Sequence, residues 1–314
     1  YTFANIDVVS RNALEYNWSA KEYTYDIREF YLSWYPMFGE VRIGNQIIPL
    51  GMADGNNPTD NVNPYNYNYL FLSGIERKIG VNSLYSDIYF GDYQLNIILK
   101  LDNSKNIFPR EDDDSIFPII NTTKSNQELE YGFSINMMLS ENDISFSYYK
   151  GSDYLPIDNG NNLEYRKTNV IGLNTVGFIN EFTYRLEGAY FISTSTNNNY
   201  SGNYIQYTNQ IEYEIDNNTM IMCQHIGQEI IDTKYNDFMI TMGNPMHSIF
   251  DNSLLLSLQK TILDERLDLS LNSIINLDNK LHSLNVSIDY ELIDNCNLYF
   301  KLSKSVSNES DNSF

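Results

Sequence analysis

Three histidines (His225, His247 and His282), two cysteines (Cys223 and Cys296) and the acidic run Glu111-Asp112-Asp113-Asp114 are the residues of this 314-residue chain whose types suggest chemistry of their own. The histidines form no HExxH and no other paired metal spacing, so a metalloenzyme is not indicated. A serine–histidine–carboxylate relay needs a nucleophile singled out by its neighbours, and no motif marks one. No catalytic residue and no cofactor is assigned. His225, near Gln224 and Glu229, is read as pore-lining or structural. Asp112, Asp113 and Asp114 could hold a hard cation such as calcium through carboxylate oxygens, or form a solvated loop crest. Asp54-Gly55-Asn56-Asn57 resembles part of a calcium loop but lacks the later bidentate glutamate. Neither cysteine lies in a CxxC pair. Both are expected to stay unpaired, with Cys223 read on the polar face of its strand and Cys296 on the apolar face.

These residues are embedded in a chain with 41 acidic and 20 basic residues, a formal net charge of -21. That balance would repel a phosphate backbone, and nucleic acid is not an expected partner. An aromatic content of 14% is too high for disorder, while 42 asparagines are a heavy load for helices because Asn favours turns. No apolar run approaches the roughly 18 residues a spanning helix needs.

The positioning elements announce themselves by alternation at period two. Leu254, Leu256 and Leu258 oppose Ser253, Ser257 and Gln259, and Leu284, Val286 and Ile288 oppose Ser283, Asn285, Ser287 and Asp289. About fifteen strands follow: 3–10, 22–36, 39–50, 79–90, 92–102, 127–140, 142–151, 164–179, 181–194, 202–216, 218–231, 247–262, 264–276, 280–291 and 295–306. Most are about twice the ordinary strand length, which suits a tilted strand crossing a bilayer in roughly 9–11 residues. Tight turns alternate with the longer segments 11–21, 51–78, 103–126, 152–163, 195–201 and 232–246, short and long connections falling on opposite sides as in outer-membrane barrels. Tyr31, Trp34, Tyr35, Phe90, Tyr93, Phe178, Phe182 and Tyr184 flank short turns, the expected depth of an interfacial girdle.

On the polar faces, the expected pore-lining acids are Glu128, Glu130, Asp143, Glu187, Glu212, Glu214, Glu229, Asp268 and Asp289, with Asp92, Glu181 and Glu291 near the turns. The expected basic counterparts are Lys100, Arg185, Arg266 and Lys301. An excess of one sign in a confined lumen concentrates counter-ions, so a cation preference is expected.

The segment from Asp26 to Asn66 resembles the porin-like outer-membrane family known as DUF1302, with Gly44-Asn45-Gln46 where that family carries Gly-Arg-Gln and Leu50-Gly51 where it carries Trp-Gly. Val62-Asn63-Pro64, Phe90-Gly91-Asp92-Tyr93, the stretch from Tyr148 to Pro156, and Tyr204-Ile205-Gln206-Tyr207 extend the likeness. The resemblance implies a porin-like barrel without implying a substrate.

Together these observations predict an all-β chain, one transmembrane antiparallel up-and-down β-barrel domain, resident in a bacterial outer membrane. About fifteen strands are visible, and a sixteenth of roughly 10 residues is expected beyond Phe314 to close the barrel. The expected function is passive diffusion of small polar or cationic solutes, with one of the loops 51–78 and 103–126 folding inward. A gated uptake channel for hydrophobic or aromatic compounds, plugged by 51–78, and a non-conducting barrel seating a partner protein are the alternatives. Expected partners are outer-membrane lipid and small solutes, and a homo-oligomer or an accessory protein is open.

Overall fold

A computed structural model of the chain describes residues 2–3, 5–17, 21–53, 55–69, 74–102, 104–108, 129–158, 163–194, 202–233, 247, 251–278, 281–293 and 296–306. One sheet contains every strand: β1 (Thr2–Phe3), β2 (Ile6–Asn17), β3 (Glu22–Trp34), β4 (Gly39–Gln46), β5 (Val81–Phe90), β6 (Tyr93–Lys100), β7 (Tyr131–Leu139) and β8 (Asn142–Asp158). It continues with β9 (Leu163–Ile179), β10 (Phe182–Thr194), β11 (Gly202–Asp216), β12 (Thr219–Thr233), β13 (Ser253–Ile262), β14 (Leu267–Asn276), β15 (His282–Ile293) and β16 (Cys296–Val306). Each strand pairs antiparallel with its chain neighbour, in the order β1 to β16. The fifteen long strands match the number expected. No ladder joins β16 to β1 or β2 among the described residues.

Tight hairpins set the register. Phe90 pairs with Tyr93, Leu139 with Asn142 and Ile179 with Phe182, leaving two-residue turns. Their first residues, Gly91, Ser140 and Asn180, adopt φ of +61°, +59° and +56°. Two-residue hairpins favour this left-handed geometry because its twist matches the strands, and Gly and Asn tolerate it best.

Two strand ends differ from the sequence reading. Residues 11–17 were expected in a loop, yet they continue β2 across a register shift between Arg11 and Asn12. The extra residue at that shift is Arg28 on β3, so β2 itself keeps its period, and its alternation is hidden because Ser10 and Asn12 are polar residues on the parity of Ile6, Val8, Leu14 and Tyr16. Likewise β8 extends to Asp158 across an irregularity between Ser152 and Pro156, where a proline that cannot donate to the ladder disguises the strand. In the opposite sense, β13 begins at Ser253 rather than at 247.

The two faces of the sheet have different chemistry. Leu84, Ile97, Phe146, Leu173, Leu186, Ile211, Ile221, Leu258, Leu271, Leu284, Phe300 and Leu302 form an exposed apolar outer face. Trp34, Phe90, Tyr93, Phe182 and Tyr184 join it at the short-turn ends, whereas Tyr31 and Phe178 have the inward parity of Gly44 and Thr183, their ladder partners. The buried side chains lie on the other face and pack not against a second sheet but against the connection between β4 and β5. Ile48, Leu50 and Val62 of that connection cluster with Val81, Tyr85, Ile98, Tyr149, Val170, Ala189, Phe191 and Tyr204. Tyr65 and Tyr67 cluster with Ile226 and Ile274. Strands from β5 to β14 thus contribute side chains to one enclosed segment, which requires the sheet to wrap around it.

Candidate permeation pathway

The chain leaves the sheet after Gln46 and turns inward because the two ends of the connection are clasped by side chains. Asn63, fully buried, donates from Nδ2 to the carbonyls of Gln46 (3.0 Å) and Ile79 (2.9 Å) and accepts the Ile48 amide on Oδ1 (2.8 Å). Glu29 accepts the Ile47 amide at 2.9 Å. Lys78, also buried, donates to the Asp60 carbonyl at 3.2 Å, sits 3.4 Å from the Asp60 carboxylate and lies 4.0 Å from the centre of the Tyr65 ring. Burial pushes the Asp60 carboxyl above its ordinary value, and the Lys78 charge only partly offsets this.

The inward tip is fastened to β9–β12 by polar side chains. Glu187 on β10 accepts the amides of Met52 (2.9 Å) and Ala53 (3.2 Å) on one oxygen, and the Thr59 amide (3.0 Å) and hydroxyl (2.7 Å) on the other. Two glycines make the berth. A Cβ at Gly51, whose φ is +96°, would stand 2.7 Å from both Glu187 oxygens, and one at Gly172 on β9 would stand 2.5 Å from Thr59 Cγ2. Beyond it runs a relay of amides. Asn56 donates to Gln224 (2.6 Å), Gln224 to Gln210 (2.6 Å) and Gln210 to Glu212 (2.6 Å). Arg185 bonds Glu212 at 2.6 Å and returns to the Met52 carbonyl at 2.9 Å. Thr208 donates to the Asn56 carbonyl at 2.6 Å, and its hydroxyl lies 3.0 Å from His247 Nε2. His247 is fully buried, and burial pushes its imidazole down to about 3, so the ring is neutral.

A second connection adds a rib. Ile107 accepts the Tyr67 amide at 2.8 Å and donates to the Tyr65 carbonyl at 3.0 Å, and Phe108 stacks on Tyr67 at 4.7 Å between ring centres. Of the two long loops expected to compete for the inward role, the described residues of 51–67 lie in the interior with 104–108 of the other laid against them, and residues 109–126 lie outside the described residues.

Not every inward polar group meets the segment. On β6–β9, Lys100 pairs with Glu130, which also accepts Tyr149 (2.9 Å) and Ser152 (2.6 Å). Arg166 pairs with Asp153 at 2.7 Å, both nearly inaccessible. A cavity of about 30 Å³ beside Asn61, Lys100, Glu130 and Asp153 has room for about one water. Two regions stay open. One is part of the inward face of β13–β16, where Gln259, Ser270, Asn272, Asn285, Ser287, Asn297 and Ser303 make a hydroxyl and amide wall, while Ser253, Ser257, Ile274 and Asn276 on the same face are buried. The other is the short-turn side, where Asp143, Glu214, Asp268 and Asp289 share the inward parity, Asp268 and Asp289 being direct ladder partners.

The expected lining residues therefore divide. Glu130, Asp143, Glu187, Glu212, Glu214, Asp268, Asp289, Lys100, Arg185 and Lys301 face inward, though Glu130, Glu187, Glu212 and Lys100 are buried in contacts rather than open to a path. Arg266 lies in the turn between β13 and β14 and Asp92 in the turn between β5 and β6, so neither is on a strand face. Glu128 and Asp112, Asp113 and Asp114 lie outside the described residues. Glu229 is corrected: it pairs with Ile205, on the face opposite Gln206 and Gln224, and points outward with Cys223 and His225. The reason is that the inward face of β12 carries Met222 and Ile226, which pack beneath the segment, so polarity marks the wrong side of this strand. Cys223 and Cys296 consequently share the outward face. Both are free thiols, separated by four strand steps of about 4.8 Å each rather than by the wall. Asn56, Thr59, Asn63, Asn174, Gln210 and Gln224 were missed. Only the density of Asn, Gly and Pro in Gly55–Pro64 hinted at a segment that satisfies its own backbone.

The chain is similar to several solved channels. A BenF-like porin from Pseudomonas fluorescens Pf-5 superposes with a TM-score of 0.54 at 10% identity, over 90% of this chain and 73% of that one. Pseudomonas aeruginosa OccK5 (OpdH) gives 0.57 at 9% identity over 98% and 84%, and the outer membrane channel DcaP of Acinetobacter baumannii 0.51 at 10% over 97% and 82%. The fold is that of outer-membrane porins. No family model matches the sequence, and no curated protein matches it.

Proposed function

We propose that this chain is a single-domain outer-membrane channel through which small polar solutes, cations preferred, diffuse passively. The observation that carries the reading is a sheet with an apolar outer face wrapped around a fixed inward segment that leaves an open hydroxyl and amide wall on β13–β16. An exposed ring of leucines and isoleucines suits lipid, since in hydrocarbon an outward Lys or Arg at mid-depth costs about 2–4 kcal/mol. Of the outward charges, Lys260 and Glu229 lie toward strand ends, whereas Lys150 sits midway along β8 beside Tyr131, the first residue of β7.

Selection in this reading is by width and charge. Arg42 is taken by Glu40 at 2.6 Å and Arg185 by Glu212, while Asp143, Glu214, Asp268 and Asp289 face the short-turn mouth. The excess of acids attracts cations within a Debye length of about 8 Å at physiological salt. The rival reading, uptake of aromatic compounds, is less well supported because Tyr65, Tyr67, Phe191 and Tyr204 are buried in packing and line no open path. Placement in the DUF1302 group rests on the likeness between Asp26 and Asn66. Planar-bilayer conductance with a salt gradient tests the reading: a cation-selective reversal potential is expected, and a silent protein would refute it.

A further inference from the structure

We infer that Glu187 is the positioning residue of the constriction: its carboxylate fixes the segment Met52–Thr59 inside the barrel and thereby sets the width of the path. The inference rests on the channel reading and deepens it. A carboxylate at mid-strand, with all four of its partners uncharged and all four on one short stretch of another connection, is unusual among the buried acids here. Glu130, Asp153 and Glu212 each meet a Lys or Arg on the sheet itself. Glu187 instead satisfies three backbone amides that have left the ladder, and a buried amide without a partner is costly. The acceptor has to be anionic and two-pronged, because Met52 and Ala53 claim one oxygen and Thr59 claims the other twice. A glutamine in its place turns an NH2 toward donors and orphans one of these pairs.

The surroundings are shaped for the contact. Gly51 and Gly172 give the tip room, and Asn174 on β9 donates to the Thr59 hydroxyl at 3.3 Å. Arg185, two residues along β10 on the same face, binds the Met52 carbonyl and so addresses the other side of the same peptide. The tip is thus held by a polar latch while Ile48 and Val62 hold its stem by packing. Releasing the latch frees the tip without dismantling the stem or the sheet.

The test uses the full chain with Cys223→Ser and Cys296→Ser, and Ala53→Cys as a reporter that is 6% exposed at the tip. Adding Glu187→Gln is expected to speed labelling by a charged maleimide at least about tenfold, as local opening would, and to raise single-channel conductance roughly twofold. A rescue pair follows from the geometry. A Cβ at position 172 would stand 3.2 Å from Thr59 Cβ, somewhat inside the about 3.8 Å that a disulfide spans, and 2.3 Å from Ser147 Oγ, so Gly172→Cys with Thr59→Cys and Ser147→Ala to clear that oxygen should pin the tip covalently. In the Glu187→Gln chain without the reporter, oxidising that pair should restore the narrow conductance and reduction should lose it. Should Glu187→Gln not fold, Glu187→Asp draws the carboxylate back by one methylene and is read the same way. Unchanged labelling and conductance in a folded variant would overturn the inference, as would a raised conductance that the crosslink leaves untouched. Faster labelling in a chain that conducts in no form would uphold the latch and refute the channel.

Discussion

Asn63→Ala should detach the neck of the inward segment, and the size of the effect can be worked from its contacts. The side chain carries three hydrogen bonds between 2.8 and 3.0 Å, to Gln46, Ile79 and Ile48, at a position with no accessible surface. Truncation leaves two carbonyls and one amide buried without that partner, each costing about 1–3 kcal/mol. Water entering the small void relieves part of this, so about 3–6 kcal/mol is the expected loss in docking free energy. At 1.4 kcal/mol per factor of ten, the open population rises by roughly two to four orders of magnitude. Asn63→Asp keeps the acceptor for Ile48 and loses both donors, so it should fall at least as far, since an anion then faces two carbonyls. Hydrogen exchange of the Ile48 amide in detergent-solubilised protein reads the effect, with amides of β10 and β11 as the internal reference. Protection at Ile48 unchanged within threefold, with the sheet intact, would refute the clasp.

Three further outcomes are expected. Asp268→Asn with Asp289→Asn, which neutralises a directly paired set at the short-turn mouth, should lower the cation-to-anion permeability ratio by roughly twofold, and a ratio that stays constant in a salt-gradient measurement would show that these acids lie off the path. Both cysteines should alkylate in detergent without reductant, giving two adducts by mass, since they sit four strands apart on the outward face; a single adduct or none would contradict that placement. His247 should make its own docking acid-sensitive. Its bound-state value is about 3 against an ordinary 6.5, so the undocked ring takes the proton first, and stability falls by up to about 1.4 kcal/mol per pH unit from 6.5 downward, levelling below 3. His247→Gln should flatten that slope in proteolysis measured between pH 7 and 4.

How much of this was legible depended on whether one physical signal dominated locally. Between β13 and β16 the inward face is mostly polar, interrupted by Leu255, Ile274 and Tyr299, and the outward face is mostly leucine, so alternation alone places every strand to within two or three residues, apart from the first residues of β13. In β2 the polar Ser10 and Asn12 fall on the parity of Ile6 and Val8, and in β8 extra residues are inserted between Ser152 and Pro156, and the reading stopped where the alternation stopped even though the ladder continued. The residues that hold the inward segment were illegible for a different reason. Asn63, Gln210 and Gln224 are ordinary polar residues in sequence, and their importance arises only when the fold brings them to 2.6–3.0 Å from one another or from freed backbone groups.

The misplaced Glu229 exposes what a filled barrel does to sequence logic. In an empty lumen every inward residue meets water, and polarity identifies the face. Here β5, β10, β11 and β12 turn Tyr85, Ala189, Phe191, Tyr204, Met222 and Ile226 inward, because the β4–β5 connection brings its own apolar side chains to meet them. The same strands then carry apolar residues on both faces, one toward the outside and one toward the segment, and a polar residue near a strand end becomes the misleading minority. Parity has to be read from the pairing instead. Ile226 faces Ser253 and Thr208, both fully buried, which fixes Gln224 and Gln228 as inward and Glu229 as outward with no appeal to polarity. It follows that runs of strand with apolar residues on both faces mark where an inward segment docks, and strands that keep a polar inner face, β15 above all, mark where the path stays open.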